Sequence, residues 1–349
     1  MRAQIVKNLA RECGFELSGI APALPLAGEI RRYDAWVAQG FAGEMRYLAD
    51  RRAQVRHDPR NLLPQARSVI CAGKLYNQPA APLWEDAALI SRYAWGRDYH
   101  HVLREGLEAL ARKLDAIEAH TWKVCVDTAP LLERGYARQA GLGWIGRNTC
   151  LINEPLGSWF FLGELLTTLQ LEAELEYDAP PPDRCGTCTR CIEACPTQAF
   201  VPHGGEWTLD ARRCISYLNI ELRGAIPEQH RPDMGPNIFG CDVCQEVCPW
   251  NARAPETADF APLFETSPPL ESLAYLTEEG FHARYRGTPV TRPKYEGFLR
   301  NVAVAMGASG SERYREPLEH LARHSSALVV EHARWALERI GKCAGVSQV

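Results

Sequence analysis

Cys185-Gly186-Thr187-Cys188-Thr189-Arg190-Cys191-Ile192-Glu193-Ala194-Cys195-Pro196 is a C-x2-C-x2-C-x3-C-P run, and Cys214 followed by Cys241-Asp242-Val243-Cys244-Gln245-Glu246-Val247-Cys248-Pro249 answers it downstream. Three closely spaced thiolates can wrap one iron–sulfur cubane corner by corner, while the fourth cysteine, turned away by its proline, ligates the other cube. The crossing gives Cys185, Cys188, Cys191 and Cys248 to one [4Fe–4S] cluster. Cys195, Cys214, Cys241 and Cys244 go to the other. Because Cys214 lies far ahead of Cys241 instead of one short step away, an insertion sits inside the cluster domain. Paired C-x2-C units also hold zinc, but the third cysteine and both Cys-Pro pairs fit cubanes better than a zinc ribbon.

The other five of the 13 cysteines, Cys13, Cys71, Cys125, Cys150 and Cys343, are isolated and read as buried core thiols. The start, Met1 to Glu12, is amphipathic and carries Lys7 and Arg11 instead of an apolar signal core. No run reaches the roughly 18 uncharged apolar residues of a membrane span. These features predict a cytoplasmic protein with reduced thiols and no membrane association. A net charge of −4 argues against a uniformly basic nucleic-acid binder, so any phosphate contact needs a local patch. The 349 residues suit two or three domains.

Upstream, residues 1–20 predict a helix, Ala21 to Pro25 a Pro-rich connection, and Glu29 to Gln39 a second helix. The β-branched runs at Ser68–Ala72 and Trp122–Val126 predict strands. Between them Leu103, Leu107, Leu110, Leu114 and Ile117 recur at helical spacing, and the first half reads as an α/β domain. The stiff polar stretch 178–184 marks a boundary, as does the segment near Pro255. The domains expected are 1–177, 178–255 and 256–349, the last with paired helices of α-solenoid type.

Val126-Asp127-Thr128-Ala129-Pro130-Leu131-Leu132-Glu133-Arg134 is the most distinctive segment without cysteine. Asp127 at a strand end can face a cleft, but Asp127 or Thr128 can equally cap a helix with Pro130 in its first turn. On the residues alone both readings stand. Gly141, Gly143 and Gly146 follow a helical segment instead of a strand, which excludes a dinucleotide fingerprint. Asp98-Tyr99-His100 approaches the D-x-H-x-x-G element that offers histidine to cobalt, but Leu103 replaces its glycine, so His100 reads as a structural or pocket-wall residue.

The whole chain resembles the epoxyqueuosine reductases, cobalamin-dependent iron–sulfur enzymes of tRNA queuosine biosynthesis. The likeness is carried by Ile90 to His100, Val126 to Thr149, the eight ligand cysteines, Cys214 to Gly224 and Gly297 to Ala303. It implies an α+β multidomain fold: an N-terminal α/β cobalamin-binding domain, a bacterial-type ferredoxin-like domain with two clusters, and a C-terminal HEAT-like helical segment. It places the family's proton donor on Asp127. Corrin contacts fall on Arg56, Ser91, Asp127, Leu151, Glu154, Leu162, Ser216 and the Cys241-Asp242-Val243-Cys244 turn, several through backbone atoms. The implied activity reduces epoxyqueuosine to queuosine at the tRNA wobble position, using cob(I)alamin reduced through the clusters by an external flavodoxin- or ferredoxin-type donor.

The substrate base would lie in a single-stranded anticodon loop. Between residues 281 and 300, Arg284, Arg286, Arg292, Lys294 and Arg300 face Glu296 alone. With Arg223, the cations Arg292, Lys294 and Arg300 are candidate tRNA contacts. Gly307-Ala308 stands where the family often has Gly-Asn, so no contact is carried to Ala308. A reductive dehalogenase-like corrinoid enzyme is the rival enzyme reading, and a ferredoxin-type electron carrier the rival outside catalysis.

Overall fold

The computed structural model describes residues 3–80, 86–171 and 178–346, with the side chains of 344–346 left aside. The expected domain boundary at 177 lies outside the described residues. Helix α1, Ala3–Glu12, buries Ala3, Val6 and Ala10 along one stripe. The single helix expected over 1–20 ends there. Gly14 takes φ +89°, a left-handed value that glycine alone adopts cheaply, and the chain continues as strand β1, Leu17–Pro22. Helix α2 follows at Ala27–Ala38, close to its expected place.

Strand β2, Ser68–Leu75, is buried at every position and pairs with β1. Helix α3, Tyr99–Asp115, starts where the Asp98 carboxylate accepts from the His100 amide at 3.0 Å, a side-chain cap of the usual kind. It lays Leu103, Leu107, Leu110 and Leu114 on the sheet, each such leucine contributing about 1.5–3 kcal/mol of burial. Strand β3, Trp122–Cys125, helix α4, Glu133–Gln139, and strand β4, Phe160–Thr167, complete the layer. The sheet order is β1-β2-β4-β3, and all of its pairings are antiparallel. This corrects the α/β reading of the first half to α+β. An apolar run shows that a strand is buried but not which way it runs, which depends on its neighbour.

The cluster region is fastened to this layer from its first described residue. Asp178 is buried, accepts from the Ile20 amide at 3.3 Å and pairs with Lys7 at 2.9 Å, so 178–184 is not a free spacer. Two short helical turns, Arg190–Glu193 and Val243–Glu246, pack together. The insertion between Cys214 and Cys241 folds around Asn219, fully buried, whose amide donates to Asn237 O (3.2 Å) and Gly240 O (3.0 Å) and accepts from Gly240 N (3.0 Å).

Helices α5, Lys294–Ser309, α6, Arg315–Leu321, and α7, Ala327–Val346, close the fold. From Gly297 to Gly307 α5 is buried on every side, the mark of a core helix. It shares one hydrophobic cluster with Ile90, Trp95, Ile220, Ile238 and Phe239. Arg300 is fully buried and donates to Leu218 O, Leu222 O and Gly224 O at 2.7–2.9 Å. Asn301 donates to Asn219 O at 2.7 Å and Ile238 O at 2.9 Å. The expectation that Arg300 meets tRNA phosphate is therefore wrong: its guanidinium holds the insertion of the cluster region. A positive charge in a sequence patch carries no sign of which way a helix turns it. Among the described residues, no helix is long and apolar enough to cross a membrane.

Candidate functional site

Two residues beyond β3 the chain turns sharply at Asp127, which takes φ +50°. Thr128 N donates across it to Val126 O at 2.5 Å, making a γ-turn of the rare positive-φ kind. The Asp127 amide is held in turn by Glu133 Oε1 at 2.6 Å. Strain of this sort persists only where surrounding bonds over-determine it, and it gathers at active sites. Helix α4 begins at Glu133, so the helix-cap reading of Asp127 gives way to the cleft reading.

The Asp127 carboxylate meets His100 Nε2 at 3.1 Å, and His100 Nδ1 meets Asp98 Oδ1 at 2.6 Å. Arg292 approaches Asp127 Oδ2 at 3.9 Å while pairing with Glu221 Oε1 at 2.9 Å. Burial disfavours the charged form of His100, but its bonds to Asp127 and Asp98 prevail and lift its pKa to about 9. For Asp127 burial pulls upward, and the His100 bond with the Arg292 charge outweighs it, leaving the carboxyl below its ordinary value. Near neutral pH the pair is thus imidazolium beside carboxylate, and the transferable proton resides on His100. The Asp127 side chain stays 39 % exposed amid these partners, so a ligand can reach it.

Tyr47, Tyr93 and Tyr99 border this cleft. Tyr47 is pushed up to about 12, by burial first and then by Glu221. Tyr93 lies in the fields of Arg292, Asp127, Glu221 and Asp242, and so spans the cleft and the Cys241–Cys244 turn. Tyr99 stacks on Phe161 with ring centroids 4.3 Å apart. Tyr47 and Glu221 escape the sequence reading, and His100 enters it only as a structural or pocket-wall residue. The visible signal was the Asp98-x-His100 spacing.

The thiols gather in two neighbourhoods. Cys191 is pushed up to about 11, by burial and then by Cys185, Cys248 and Cys188. Cys241 rises to about 12, by burial and then through Cys214 and Cys195, and Cys244 rises by burial and then through Cys150, Cys241 and Cys214. Among the described residues no three metal-binding side chains converge at the spacing of a single ion, whereas a cubane takes each thiolate on a different iron. Cys71 and Cys125 are core thiols, but Cys150 stands among Cys248, Cys191, Cys214 and Cys244. It is not the ordinary core cysteine expected.

Of the candidate corrin contacts, Arg56 is buried and donates to Tyr47 O at 3.0 Å. Ser91 Oγ is bonded to the Asp242 carboxylate, whose other oxygen accepts from Arg92 N at 2.8 Å. Leu151 is buried in a two-residue strand, Leu162 lies half-buried on β4, and Ser216 hydrogen-bonds the Cys214 thiol. Glu154 stands apart, paired with Arg184 at 2.8 Å. Among the tRNA candidates Arg223 and Lys294 are exposed, and Arg292 is committed to the cleft carboxylates. A cavity of about 860 Å³ lies elsewhere, between α2 and the hairpin at 200–209, and Asp127 does not line it.

Residues 184–251 match the family model of a 4Fe-4S double cluster binding domain, and residues 56–128 match that of Epoxyqueuosine reductase QueG, DUF1730. An epoxyqueuosine reductase from Xanthomonas campestris pv. campestris is 43 % identical, the alignment covering 96 % of this chain and 95 % of that protein. The crystal structure of an epoxyqueuosine reductase with an epoxyqueuosine-modified tRNA stem loop superposes with TM-score 0.88 at 27 % identity, over 97 % of this chain and 90 % of that one. The Bacillus subtilis enzyme, solved with its catalytic aspartate loop swung out of the active site, gives TM-score 0.77 at 25 % identity, over 97 % and 98 %.

Proposed function

The chain belongs to the epoxyqueuosine reductase family, and from that premise we infer that it reduces epoxyqueuosine to queuosine in tRNA at the Asp127 cleft, with His100 and Asp127 as the proton-handling pair. The observation that carries this reading is the 3.1 Å contact between His100 Nε2 and Asp127 Oδ2, made by a partly exposed aspartate in a strained turn, with Tyr93 between it and Asp242. Opening an epoxide leaves an oxygen that needs a proton. Asp127 is ionised as it stands, so it can deliver one only by taking it from His100, whose elevated pKa keeps it loaded at neutral pH.

Cobalamin is the cofactor this reading calls for: Asp127 would offer it an accessible carboxylate with Tyr47, Tyr93 and Tyr99 around it, and the buried Ser91–Asp242 bond braces the neighbouring turn. Leu151, Leu162, Ser216 and the Cys241-Asp242-Val243-Cys244 turn would hold the cofactor. Arg56 and Ser91 would brace its walls, and Glu154, fixed by Arg184, would stand at its edge. When bound, cobalamin supplies the reducing nucleophile, with the two clusters as the route from a flavodoxin- or ferredoxin-type donor. Around it the chain's own residues orient the substrate oxygen, keep the proton on His100 Nε2, and balance the Asp127 charge through Arg292.

The tRNA loop would present its base from the side where Arg223 and Lys294 are exposed. The deciding test is Asp127→Asn in the reconstituted enzyme. Cobalamin and cluster absorbance should match the unsubstituted protein, while kcat for epoxyqueuosine-containing tRNA falls on the order of 10²- to 10⁴-fold. Unchanged turnover would remove Asp127 from the reaction.

A further inference from the structure

Beneath the Asp127 turn lies a second acidic residue that the reaction does not touch. Glu164, on β4, is fully buried in the sheet, opposite Cys71 of β2 and Cys125 of β3. Neither of its carboxylate oxygens finds a hydrogen-bond donor among the surrounding N–H and hydroxyl groups. What faces it within hydrogen-bonding reach is another carboxyl group, that of Glu133. Two carboxylates bond to each other only when one carries a proton, and an unpaired buried carboxylate is among the costliest groups a core can hold. Glu133 Oε1 in turn accepts from the Asp127 amide at 2.6 Å.

Resting on the reading of Asp127 given above, we propose that Glu164 donates a carboxyl hydrogen to Glu133, and that the pair is a positioning device holding Asp127 in its strained turn against His100. The chain of bonds runs Glu164 O–H to Glu133 carboxylate, and Asp127 N–H to the same carboxylate. Cys71, Cys125, Asp127 and Arg134 are the other titratable groups facing the pair. Arg134 is the one cation among those four, and the sheet side offers only neutral thiols. Burial raises both above the ordinary carboxylate range; the Asp127 charge adds to it at Glu133, where the bond from Glu164 pulls the other way, and the Glu133 charge and bond add to it at Glu164. An amide whose acceptor is anchored this way resists relaxation of the γ-turn. Without the Glu164 proton the two groups repel, Glu133 is drawn off the Asp127 amide, and the turn is free to leave the cleft. A catalytic aspartate loop stands swung out in the Bacillus subtilis enzyme, so such a loop has somewhere to go.

The test compares Glu164→Gln with Glu164→Leu in the reconstituted enzyme. The glutamine amide keeps a neutral donor toward Glu133, and leucine removes it at similar volume. Hydrogen exchange of the peptide containing Asp127 should stay as slow as in the unsubstituted protein for Glu164→Gln, and quicken at least tenfold for Glu164→Leu. Over the same pair, kcat should hold within about threefold for glutamine and fall ten- to a hundredfold for leucine, with KM for tRNA within about twofold in both. The infrared band of a protonated carboxyl should be present at neutral pH and disappear in Glu164→Gln. Equal behaviour of the two variants in exchange overturns the proposal, whether both protect the amide or both expose it, and so does absence of the carboxyl band. The band and the exchange need no substrate, so an unsubstituted protein that leaves epoxyqueuosine unreduced sinks the functional reading while these two readouts still judge the pair. Cluster absorbance and thermal melting separate a misfolded leucine variant from an informative one.

Discussion

His100 Nε2 stands 3.1 Å from Asp127 Oδ2, with the opposite nitrogen of the ring 2.6 Å from Asp98. A histidine flanked by two carboxylates is charged well above its ordinary range, and the pKa of about 9 is the consequence. Activity that needs this proton is present below pH 9 and is lost as the pH rises through it. His100→Gln should lower kcat on the order of 10²-fold and remove that alkaline limb. The same shift links to folding: a raised pKa contributes stability that is full below pH 6.5 and is lost by about pH 9. The melting temperature of the unsubstituted protein should therefore drop across that window more than that of His100→Gln. A flat comparison would show that the imidazolium is not held as described.

Arg292 governs the other limb. Its charge, beside the His100 bond, keeps the Asp127 carboxyl below its ordinary value against the upward pull of burial. Arg292→Gln removes that charge, so the Asp127 pKa rises and the acidic limb of the kcat profile should move to higher pH. Glu221 loses its partner in the same substitution, and Glu221→Gln provides the control. A profile that stays in place for Arg292→Gln would mean that Arg292 does not tune the aspartate.

Arg300 supplies a stability prediction with no counterpart at the surface. Besides Asn301 Oδ1, its acceptors are three main-chain carbonyls in 218–224, and each buried carbonyl left without a donor costs about 1–3 kcal/mol. Arg300→Met should destabilise the protein by several kcal/mol and loosen the insertion that brings Cys214 to Cys241, so iron content should fall on purification. Full iron occupancy and an unchanged melting temperature in Arg300→Met would contradict the clamp.

How far the sequence reaches depends on what kind of signal a feature leaves. The cysteine runs announce a double-cluster domain because ligand spacing is a local constraint, and residues 184–251 match one. Helix α3 and strands β2 and β3 are legible because their apolar periods are set by burial. Strand direction is not, since Ser68–Leu75 reads identically in either sense. The fate of Arg300 and Arg292 escapes for a related reason: charge is visible in a sequence, but the partner that consumes it is not. Glu133 and Glu164 are separated by thirty positions, and nothing short of the sheet brings them together. His100 left a half-signal in Asp98-x-His100, which the missing glycine obscured.

Of the four cations proposed for tRNA phosphate, Arg300 is inside and Arg292 is engaged, which leaves Arg223 and Lys294, both exposed. Arg223 spends one nitrogen on Arg292 O at 2.7 Å, which ties its position to the cleft while leaving its other donors outward. A phosphate contact releases counterions, and for single-stranded nucleic acid each one contributes about 0.7 to the slope of log affinity against log salt. Arg223→Ala and Lys294→Ala should each weaken anticodon stem-loop binding and flatten that slope by about 0.7, and the double substitution by about twice as much. The effect should be the same for loops differing in bases flanking the target, because phosphate contacts position without reading sequence. A weakened affinity with an unaltered slope would assign the residue to shape or packing, and unaltered affinity would remove it from the interface altogether.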